Sequence, residues 1–373
     1  MKRDDGADAV QYKVWEIIPT LGGGGAEKMV LDLSEGLQDS RYDVTVISLY
    51  DKSFATSGRV RFAEDNHLKV NYLNKKQGFD FHLLLRLAGM IRSEKPDIIH
   101  THIESFQYIA ILGFFFRFVH IHTMHSVAGR EPKIYRMLLK SAGKRHRTDF
   151  AVLSNQIMES MQELFGTQEE RLRCIKNGVD TDFYQFKSRK INSESVRLLS
   201  VGSLIPVKNH HMLLEAFEEL EKQRNYRDSL TIVGDGKLRN QLEKTAVKLG
   251  INKNVTFTGN VEDVRPLLYH ADIFVMTSHY EGVSLALLEA ASTGMPIIVS
   301  ATGATPELVG DDAILFEDNQ KEQLVSALQN LMNDSELYEL QSEKSRELAV
   351  KHSKKKMVDR YMDLYADTLE RNK

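Results

Sequence analysis

Short runs of β-branched and other apolar residues alternate along this chain with longer segments whose apolar residues recur every three to four positions. The first series consists of YKVWEIIP at 12–19, an amphipathic segment from Ala26 to about Gln38, and YDVTVISLY at 42–50. A strand, a helix and a second strand in this order are typical of a βαβ unit, whose strands pair in parallel. The pattern therefore predicts an α/β fold built on doubly wound parallel sheets.

The same alternation returns in the second half of the chain. Strands are predicted at 196–204, 229–236, 254–260, 272–278 and 295–300, with helices such as 211–224, 238–249 and 285–292 between them. A length of 373 residues is enough for two domains. We expect two Rossmann-like domains that face an interdomain cleft, over residues 1–185 and 186–352, with a last helix in 353–373 that packs on either of them.

The charge and cysteine content narrow the class of protein. Lys and Arg number 49 against 52 Asp and Glu, so the net charge of -3 gives no overall reason to expect a nucleic-acid partner. The single cysteine, Cys174, cannot form an internal disulfide, which favours a reducing compartment. We expect no signal peptide, and no apolar run reaches the roughly 20 residues of a membrane-spanning helix. A cytoplasmic protein is predicted.

Four glycines, Gly22 to Gly25, join the first predicted strand to the first helix. Glycine lets a ligand approach the backbone, and the helix N-terminus offers unpaired N–H groups to a phosphate. The loop does not match the GxGxxG fingerprint, and no acidic residue ends the second strand, which argues against a dehydrogenase. From these residues alone, the loop is either a phosphate-binding loop or a tight turn.

Residues 278–300 place two glutamates around a predicted helix start. Ser284 is the expected N-cap residue. Glu281 precedes the helix, where free backbone amides can hold an anion. Glu289 lies among apolar residues, where a carboxylate without partners would be strongly unfavourable. Glu289 therefore binds a polar ligand such as a ribose, pairs with a basic side chain, or faces solvent.

Several motifs together resemble those of glycosyltransferase family 4, the retaining nucleotide-sugar transferases of the GT-B fold. In the family's order they are GGGGAE at 22–27, TMHS at 123–126, IKNGVD at 175–180, SVGSLIPVKNHHMLLEAF at 200–217, IVGDG at 232–236, Glu281-x7-Glu289 and ATGATPELV at 301–309. Each motif alone is unspecific, but together they cover nearly the whole chain. The resemblance implies the GT-B fold and transfer of a sugar.

The resemblance also implies a donor site. Glu281 would bind hydroxyls of the donor sugar, Glu289 the ribose diol, and Lys208 the departing diphosphate. The other donor-binding residues that it implies are Gly24, Gly25, Gly234, Gly282, Val283 and Ser284, and Ser203 is a further candidate. Neither a metal nor another cofactor is expected, because Lys208, the glycine loop and the helix N-terminus would stabilise the negative charge of the leaving group.

Histidines end two of the predicted strands in the first half. His125, at the end of HIHTMH, matches the family's active-site histidine, which contacts the donor sugar near the reacting carbon. Without the resemblance, a histidine in a stretch that also holds His120 and His122 would be interpreted as structural. His102, at the end of DIIHTH, either lines the acceptor side or is structural.

The chain departs from the family pattern at Ser203. The family commonly has Gly-Arg-Leu, with the arginine five residues before the lysine, where this chain has Gly202-Ser203-Leu204. A cation for the diphosphate is therefore missing. Either Lys208 and backbone amides suffice, Ser203 donates a hydrogen bond, or another cation such as Lys237 or Arg239 replaces it.

Asp180-Thr181-Asp182 resembles the DxD motif that holds a divalent metal in the other large transferase fold. It lies in the predicted linker at 173–195, after a strand of the GT-B pattern, so we expect no metal there. The two glutamates are not expected to act as the acid and nucleophile of a glycosidase. The resemblance implies retention of configuration by front-face attack.

Positive charge in the first half is concentrated between Arg117 and Arg147, where eight Lys or Arg accompany one acidic residue. A basic amphipathic helix is predicted from Arg130 to Arg147. Such a helix lies on anionic lipid, binds a phosphate-bearing acceptor, or simply faces solvent. Its side chains on the acceptor or membrane side would be Arg130, Lys133, Lys140, Lys144 and Arg145.

These observations predict a retaining, metal-independent hexosyltransferase that is cytoplasmic or peripheral on the inner face of the cytoplasmic membrane. Its donor would be a UDP-sugar, with a GDP-sugar as the alternative. Its acceptor would be a glycan or a lipid-linked molecule in bacterial surface polysaccharide synthesis. The alternatives are a transferase with a soluble small-molecule acceptor and a nucleotide-sugar-binding regulator without turnover. No nucleic-acid partner is expected, and the sequence does not predict the oligomeric state.

Overall fold

The computed structural model describes residues 11–38, 40–127, 132–144, 148–224 and 228–372, with the backbone alone at 143 and 144. The chain divides into two compact units. The N-terminal unit comprises Met1–Lys176 and Met357–Lys373, and the C-terminal unit comprises Asn177–Lys356. Each unit is an α/β layer structure with one parallel sheet, as the alternation of strand and helix patterns predicts.

The sheet of the N-terminal unit has the strand order β3-β2-β1-β4-β5-β6-β7, and every pairing is parallel. Its strands are β1 (Tyr12–Ile18), β2 (Tyr42–Ser48), β3 (Lys69–Tyr72), β4 (Ile98–His102), β5 (Val119–Met124), β6 (Thr148–Val152) and β7 (Leu172–Cys174). Its helices are α1 (Gly25–Gln38), α2 (Ser57–Asp65), α3 (Phe81–Glu94), α4 (Phe106–Leu112), α5 (Lys133–Lys144) and α6 (Asn155–Phe165).

The sheet of the C-terminal unit has the order β10-β9-β8-β11-β12-β13, again parallel throughout. Its strands are β8 (Arg197–Val201), β9 (Ser229–Val233), β10 (Val255–Gly259), β11 (Ile273–Met276), β12 (Ile297–Ser300) and β13 (Ile314–Phe316). The helices that follow are α7 (His210–Gln223), α8 (Arg239–Lys248), α9 (Arg265–His270), α10 (Leu285–Ser292), α11 (Thr305–Val309), α12 (Lys321–Asn333), α13 (Ser335–Lys351) and α14 (Lys354–Arg371).

Alternation along β1 divides the core of the N-terminal unit between the two faces of its sheet. Val14 and Ile18 belong to an apolar cluster that includes side chains of α1 and α14, whereas Trp15 and Ile17 belong to a cluster with α3 and α4. Successive strand residues point to opposite faces, so Glu16 falls on the face that α14 covers.

The last helix is anchored to the N-terminal unit by polar bonds as well as by apolar packing. Asp149 of β6, which is fully buried, accepts a hydrogen bond of 2.6 Å from the Thr368 hydroxyl and pairs with Arg371. Arg171 donates to the other oxygen of the same carboxylate at 2.9 Å. From Met357 onward the helix therefore belongs to the N-terminal unit.

The division between the units lies at Lys176 and Asn177, so residues 177–185, which the sequence assigned to the first domain, belong to the C-terminal unit. The reason is local hydrogen bonding. The Val179 N–H donates to the His352 carbonyl, and Asp180 pairs with Lys354 at 2.5 Å. Both partners lie in the C-terminal unit.

Each sheet reverses its strand order at one point. In the N-terminal unit β1 lies between β2 and β4, and in the C-terminal unit β8 lies between β9 and β11. Loops at the carboxyl ends of such strands diverge and leave a crevice, which is where ligands bind in open α/β sheets. A ligand-binding site is therefore expected at the loops after β1, β4, β8 and β11.

Candidate functional site

Lys208 lies in the loop after β8, in a short 3₁₀ turn at Pro206–Lys208. This loop is attached to the end of β11. The Thr277 hydroxyl donates to the carbonyl of Lys208 at 3.1 Å, and the His279 N–H donates to the carbonyl of Val207 at 2.8 Å. The attachment brings the lysine to the segment that carries Glu281, as the two motifs predict for one site.

Lys208 and Glu281 form an ion pair in which the ammonium group donates to Oε2 of the carboxylate. The Ser278 hydroxyl donates to the same oxygen at 3.2 Å. The two side chains are 21% and 14% exposed, so solvent and a ligand can still reach them. A cation and an acceptor are thus held side by side at the carboxyl edge of the second sheet.

Helix α10 begins directly after this pair. Ser284 caps it as predicted, because its hydroxyl accepts from the Leu287 N–H at 3.4 Å. Val283 and Ser284 are buried, Gly282 is half-buried, and Glu289 is 8% exposed on the helix itself. The helix N-terminus therefore lies beside the ion pair, where its positive dipole end favours an anion.

Asn177 supports this loop and was not assigned a role from the sequence, although it belongs to the IKNGVD motif. It is 5% exposed, and its amide donates to the Val283 carbonyl at 3.0 Å. Its Oδ1 atom is buried and has no hydrogen-bond partner among the described residues. The only signal in the sequence was a short polar residue between a strand and a glycine.

Two glycine loops lie against each other in the C-terminal unit. Gly234 has a φ of +130°, and a Cβ atom there would lie 2.1 Å from the Gly202 carbonyl oxygen. Ser203 is exposed in the first loop. Of the two proposed substitute cations, Lys237 is exposed, whereas Arg239 donates to Glu243 at 2.9 Å and to the Phe257 carbonyl at 3.0 Å. Arg239 is therefore already engaged by partners of its own.

The glycine loop of the N-terminal unit follows β1. Gly24 and Gly25 are exposed, and Gly25 is the first residue of α1. A Cβ atom on Gly24 would lie 2.3 Å from Oε2 of Glu27, whose Oε1 accepts from the Thr20 hydroxyl at 3.5 Å. The loop is thus held close to the side chain of an acidic residue in the first turn of α1.

A polar cluster of Glu16, His100, His102 and His125 lies in the N-terminal unit, near the ends of β4 and β5. The sequence revealed only part of it. Glu16 of β1 lies beside His100 in the register of the sheet. Both are completely buried, and His100 Nδ1 is 3.2 Å from Oε1 of Glu16. The Tyr365 hydroxyl of α14 donates to the same oxygen at 2.5 Å. An acidic residue inside the apolar strand YKVWEII was the missed signal.

His102 connects Glu16 to His125. Its Nε2 is 2.8 Å from Oε2 of Glu16, and its Nδ1 is 3.2 Å from Nε2 of His125. Burial and the nearby His100 lower the pKa of His102 to about 4. Burial, followed by the neighbouring histidines, lowers the pKa of His125 well below its usual value. Both rings are therefore neutral near pH 7. His125 itself is only partly buried.

His120 and His122 form a separate, structural pair. The Thr101 hydroxyl lies 2.9 Å from Nε2 of His120 and 3.0 Å from Nδ1 of His122. Burial lowers the pKa of His120 to about 3, so it too is neutral. These bonds satisfy buried ring nitrogens within the sheet, as expected of structural histidines.

Among the described residues, one group has the spacing to hold a metal ion: Glu16, His100 and His102, whose ligand atoms lie within 4.8 Å of one another. Each of these atoms already has a hydrogen-bond partner. The predicted non-metal DxD sequence is a turn, because Asp180 Oδ1 accepts from the N–H groups of Asp182 and Phe183. Metal independence stays a prediction.

Helix α5, at Lys133–Lys144, corresponds to the predicted basic helix, and Pro132 before it lies outside the helix. Tyr135 and Leu139 are buried, and Lys133 and Lys140 are exposed. Ile134 and Met137 are 64% and 70% exposed, which a helix with a purely polar outer face would not show. Arg130, Arg145 and the side chain of Lys144 lie outside the described residues. Among the residues that the structure describes, no helix is both long enough and apolar enough to cross a bilayer.

Comparison with known proteins places both units in one group. Residues 23–183 match the family described as Glycosyltransferase Family 4, and residues 182–348 match the family described as Glycosyl transferases group 1. Together the two matches span both units.

Individual relatives agree with this. The chain is 27% identical over 379 residues to the UDP-Gal:alpha-D-GlcNAc-diphosphoundecaprenol alpha-1,3-galactosyltransferase of Escherichia coli, covering 94% of this chain and 95% of the relative. It is 27% identical to a glycogen synthase of Mycobacterium tuberculosis, covering 86% and 85%.

Solved structures agree in fold. The Alr3699/HepE protein of Anabaena in complex with UDP superimposes with a TM-score of 0.80 at 18% identity, covering 96% of this chain and all of that one. Two Rossmann-like units, the ordered motifs and these similarities lead to one conclusion: the chain belongs to glycosyltransferase family 4, has the GT-B fold, and is a glycosyltransferase that acts on nucleotide-sugar donors.

Proposed function

We propose that this protein is a retaining, metal-independent transferase that moves a sugar from a UDP-sugar to a lipid-linked acceptor during surface polysaccharide assembly. The observation that carries the proposal is the Lys208–Glu281 pair beside the N-terminus of α10. A cation next to a helix N-terminus suits a diphosphate, and an adjacent carboxylate suits sugar hydroxyls. The Anabaena neighbour binds UDP, and the Escherichia coli relative uses UDP-Gal, which supports UDP over GDP.

The residues divide the work according to charge. Lys208 and the amides around Val283 and Ser284 stabilise the departing diphosphate, Glu281 binds donor-sugar hydroxyls, and Glu289 binds the ribose diol. Gly24 and Gly25 approach the diphosphate through their backbone, and His125 contacts the donor sugar. In a preorganised site, loss of one group that stabilises the leaving diphosphate lowers the rate about 10²-fold to 10³-fold.

Identification of the donor is the first experiment. Thermal unfolding is followed with UDP, GDP, ADP and their sugars. A ligand present at about 100 times its Kd stabilises the folded protein by about 2.7 kcal/mol, which separates the correct base from the others. Glu281→Gln removes the negative charge of the carboxylate that binds the sugar hydroxyls and should abolish transfer. Glu322→Gln, on the exposed surface of α12, serves as the matched control. A panel in which no nucleotide stabilises the protein contradicts the proposed site.

The stereochemistry is tested separately. Departure of the diphosphate builds positive charge on the sugar, and a diphosphate oxygen accepts the proton of the acceptor hydroxyl as that hydroxyl attacks from the same face. Glu281 is paired with Lys208 and is not assigned as a nucleophile. Proton NMR of the first product should show the donor's anomeric configuration. An inverted anomer refutes this mechanism.

The membrane-proximal acceptor is supported by the outer face of α5. Basic side chains at Lys133 and Lys140 flank the exposed apolar Ile134 and Met137. Apolar residues between basic ones are typical of a helix that lies in the headgroup region of an anionic bilayer. The Escherichia coli relative, whose acceptor is a diphosphoundecaprenol lipid, is consistent with this choice.

Liposome sedimentation tests this surface. Binding to vesicles of phosphatidylcholine and phosphatidylglycerol should exceed binding to phosphatidylcholine alone. Charge reversal at Lys133 and Lys140 should lower the binding constant at least about thirtyfold, since two basic residues at about 1 kcal/mol each contribute about 2 kcal/mol near an anionic surface. Lys244→Glu with Lys248→Glu, on the exposed surface of α8, is the matched control. Equal binding by both double variants rules out α5 as the contact.

A second candidate acceptor is a soluble glucan, which the similarity to a glycogen synthase favours. Lack of lipid association together with turnover on a soluble oligosaccharide would select it. Both candidates use the same donor residues, so the donor panel holds for either.

A further inference from the structure

The carboxylate of Glu16 is at one end of a chain of hydrogen bonds that ends at His125. A carboxylate can only accept, so the 2.8 Å contact requires that Nε2 of His102 carries a proton. A neutral imidazole has one N–H, which leaves Nδ1 of His102 as an acceptor. The atom facing it at 3.2 Å, Nε2 of His125, must then be the donor.

We propose that Glu16 is a positioning residue that acts through His102 to hold His125 in the Nε2–H tautomer, so that His125 offers the unprotonated Nδ1 to a hydroxyl of the donor sugar. The inference rests on the proposed function, in which His125 contacts that sugar. Among the described residues, His125 has hydrogen-bonding or ring contact with His102 only, so Nδ1 is available to a ligand.

The surroundings of Glu16 make it a strong anchor. It is fully buried on the face that α14 covers, and besides His102 it has the Tyr365 hydroxyl and His100 as partners. Although burial raises the pKa of Glu16, the charge of His100 and hydrogen bonds from His100 and His102 lower it to about 2. The negative end of the chain therefore persists throughout the physiological pH range. His100 Nδ1 lies 3.2 Å from Oε1 and 3.1 Å from Oε2 of Glu16, and in either contact the carboxylate oxygen that faces His102 can only accept.

An acceptor nitrogen at this position has a chemical consequence. It takes a hydrogen bond from a sugar hydroxyl but not from a fluorine atom or a deoxygenated carbon. Its lone pair also faces the sugar as positive charge develops there, which is favourable. The opposite tautomer would donate, and would tolerate fluorine as an acceptor.

The direct test is two-bond proton–nitrogen correlation NMR on protein labelled with ¹⁵N-histidine, assigned with a His125→Gln variant. The wild-type spectrum should show a protonated Nε2 and an unprotonated Nδ1 for His125. The opposite assignment overturns the proposal. This reading requires no turnover, so it stands apart from failure of the proposed function, which would appear as absence of transfer with every donor in the panel.

Variants test the role of the carboxylate. Glu16→Gln should lower kcat by about tenfold to a hundredfold, the contribution expected of a charge-assisted hydrogen bond, with unchanged UDP affinity and a changed His125 spectrum. Asp149→Asn is the matched control, because Asp149 is an equally buried carboxylate bound to α14 but outside the histidine chain. An equal fall in kcat in both variants, or an unchanged spectrum in Glu16→Gln, refutes positioning. If Glu16→Gln does not fold, the wild-type spectrum alone decides.

A donor analogue gives a third reading. The donor found by the thermal panel is compared with its monodeoxy and monodeoxyfluoro forms at each hydroxyl. At one position both forms should lose kcat/KM equally, because neither can donate to Nδ1. Fluorine that restores activity at every position where deoxygenation lowers it contradicts an acceptor nitrogen.

Discussion

Gly303 allows a sharp test of how the loop that carries Glu281, directly before α10, is positioned. It has a φ of +57°, and a Cβ atom on it would lie 2.0 Å from the carbonyl oxygen of Glu281, where real Cβ contacts do not fall below 3.0 Å. The next residue, Ala304, donates its N–H to that same carbonyl at 2.8 Å. Gly303→Ala must therefore push the backbone of Glu281 away by about 1 Å or break this bond.

The chain offers a matched control at Gly310. Its φ of +50° is also in the region that disfavours other residues, but nothing lies within 4 Å of a Cβ atom there. Both alanine variants should lose about 1 to 3 kcal/mol of unfolding free energy from backbone strain. Only Gly303→Ala should also lower kcat/KM, by about a hundredfold, since a displacement of 1 Å in a positioning element costs that much.

The assay combines urea unfolding followed by far-ultraviolet circular dichroism with initial transfer rates and calorimetric titration of UDP. Both variants should remain folded at the assay temperature, and Gly310→Ala should keep wild-type rates. Wild-type turnover in Gly303→Ala would refute the reasoning, because the Glu281 backbone would then not need its present place. Equal loss of activity in both variants would attribute the effect to strain alone.

Three further predictions concern charge and pH. Lys208→Gln should raise the Kd of UDP about tenfold to a hundredfold. Lys222→Gln, on the exposed face of α7, is the control and should leave this Kd unchanged. Equal UDP affinities in the two variants would exclude Lys208 from the diphosphate site. The pKa of His102 is lowered to about 4 and that of His120 to about 3, so below the unfolded value near 6.5 the unfolded chain binds more protons. As the pH is lowered from 6.5 to 4, the unfolding free energy of the N-terminal unit should thus fall by about 1.4 kcal/mol per histidine for each pH unit. Fluorescence of the single tryptophan, Trp15, which is buried in this unit, reports the unfolding. An unfolding free energy that does not change with pH would contradict neutral buried rings. Transfer should survive EDTA; activity lost to EDTA and restored by Mg²⁺ or Mn²⁺ would refute metal independence.

Most of the secondary structure could be predicted because local patterns decide it. The helix at Leu285–Ser292 has the predicted bounds, since a serine cap and a terminating glycine are local signals. The order of the motifs likewise identifies the family without any tertiary contact. The same local reasoning started the basic helix too early, because periodicity does not show that Pro132 lies outside the helix.

What the sequence by itself determined was the fold class and the family, because these depend on periodicity and on short motifs. Only the tertiary structure brought Glu16, His102 and His125 into one chain of hydrogen bonds, since they lie in β1, at the end of β4 and directly after β5, three strands whose neighbours are set by the order β1-β4-β5. It also decided that Lys208 meets Glu281 and that Tyr365 reaches Glu16 across 349 residues. A sequence pattern does not predict such contacts. A polar side chain inside an apolar strand indicates that a buried partner is needed, but the tertiary fold decides which residue is that partner.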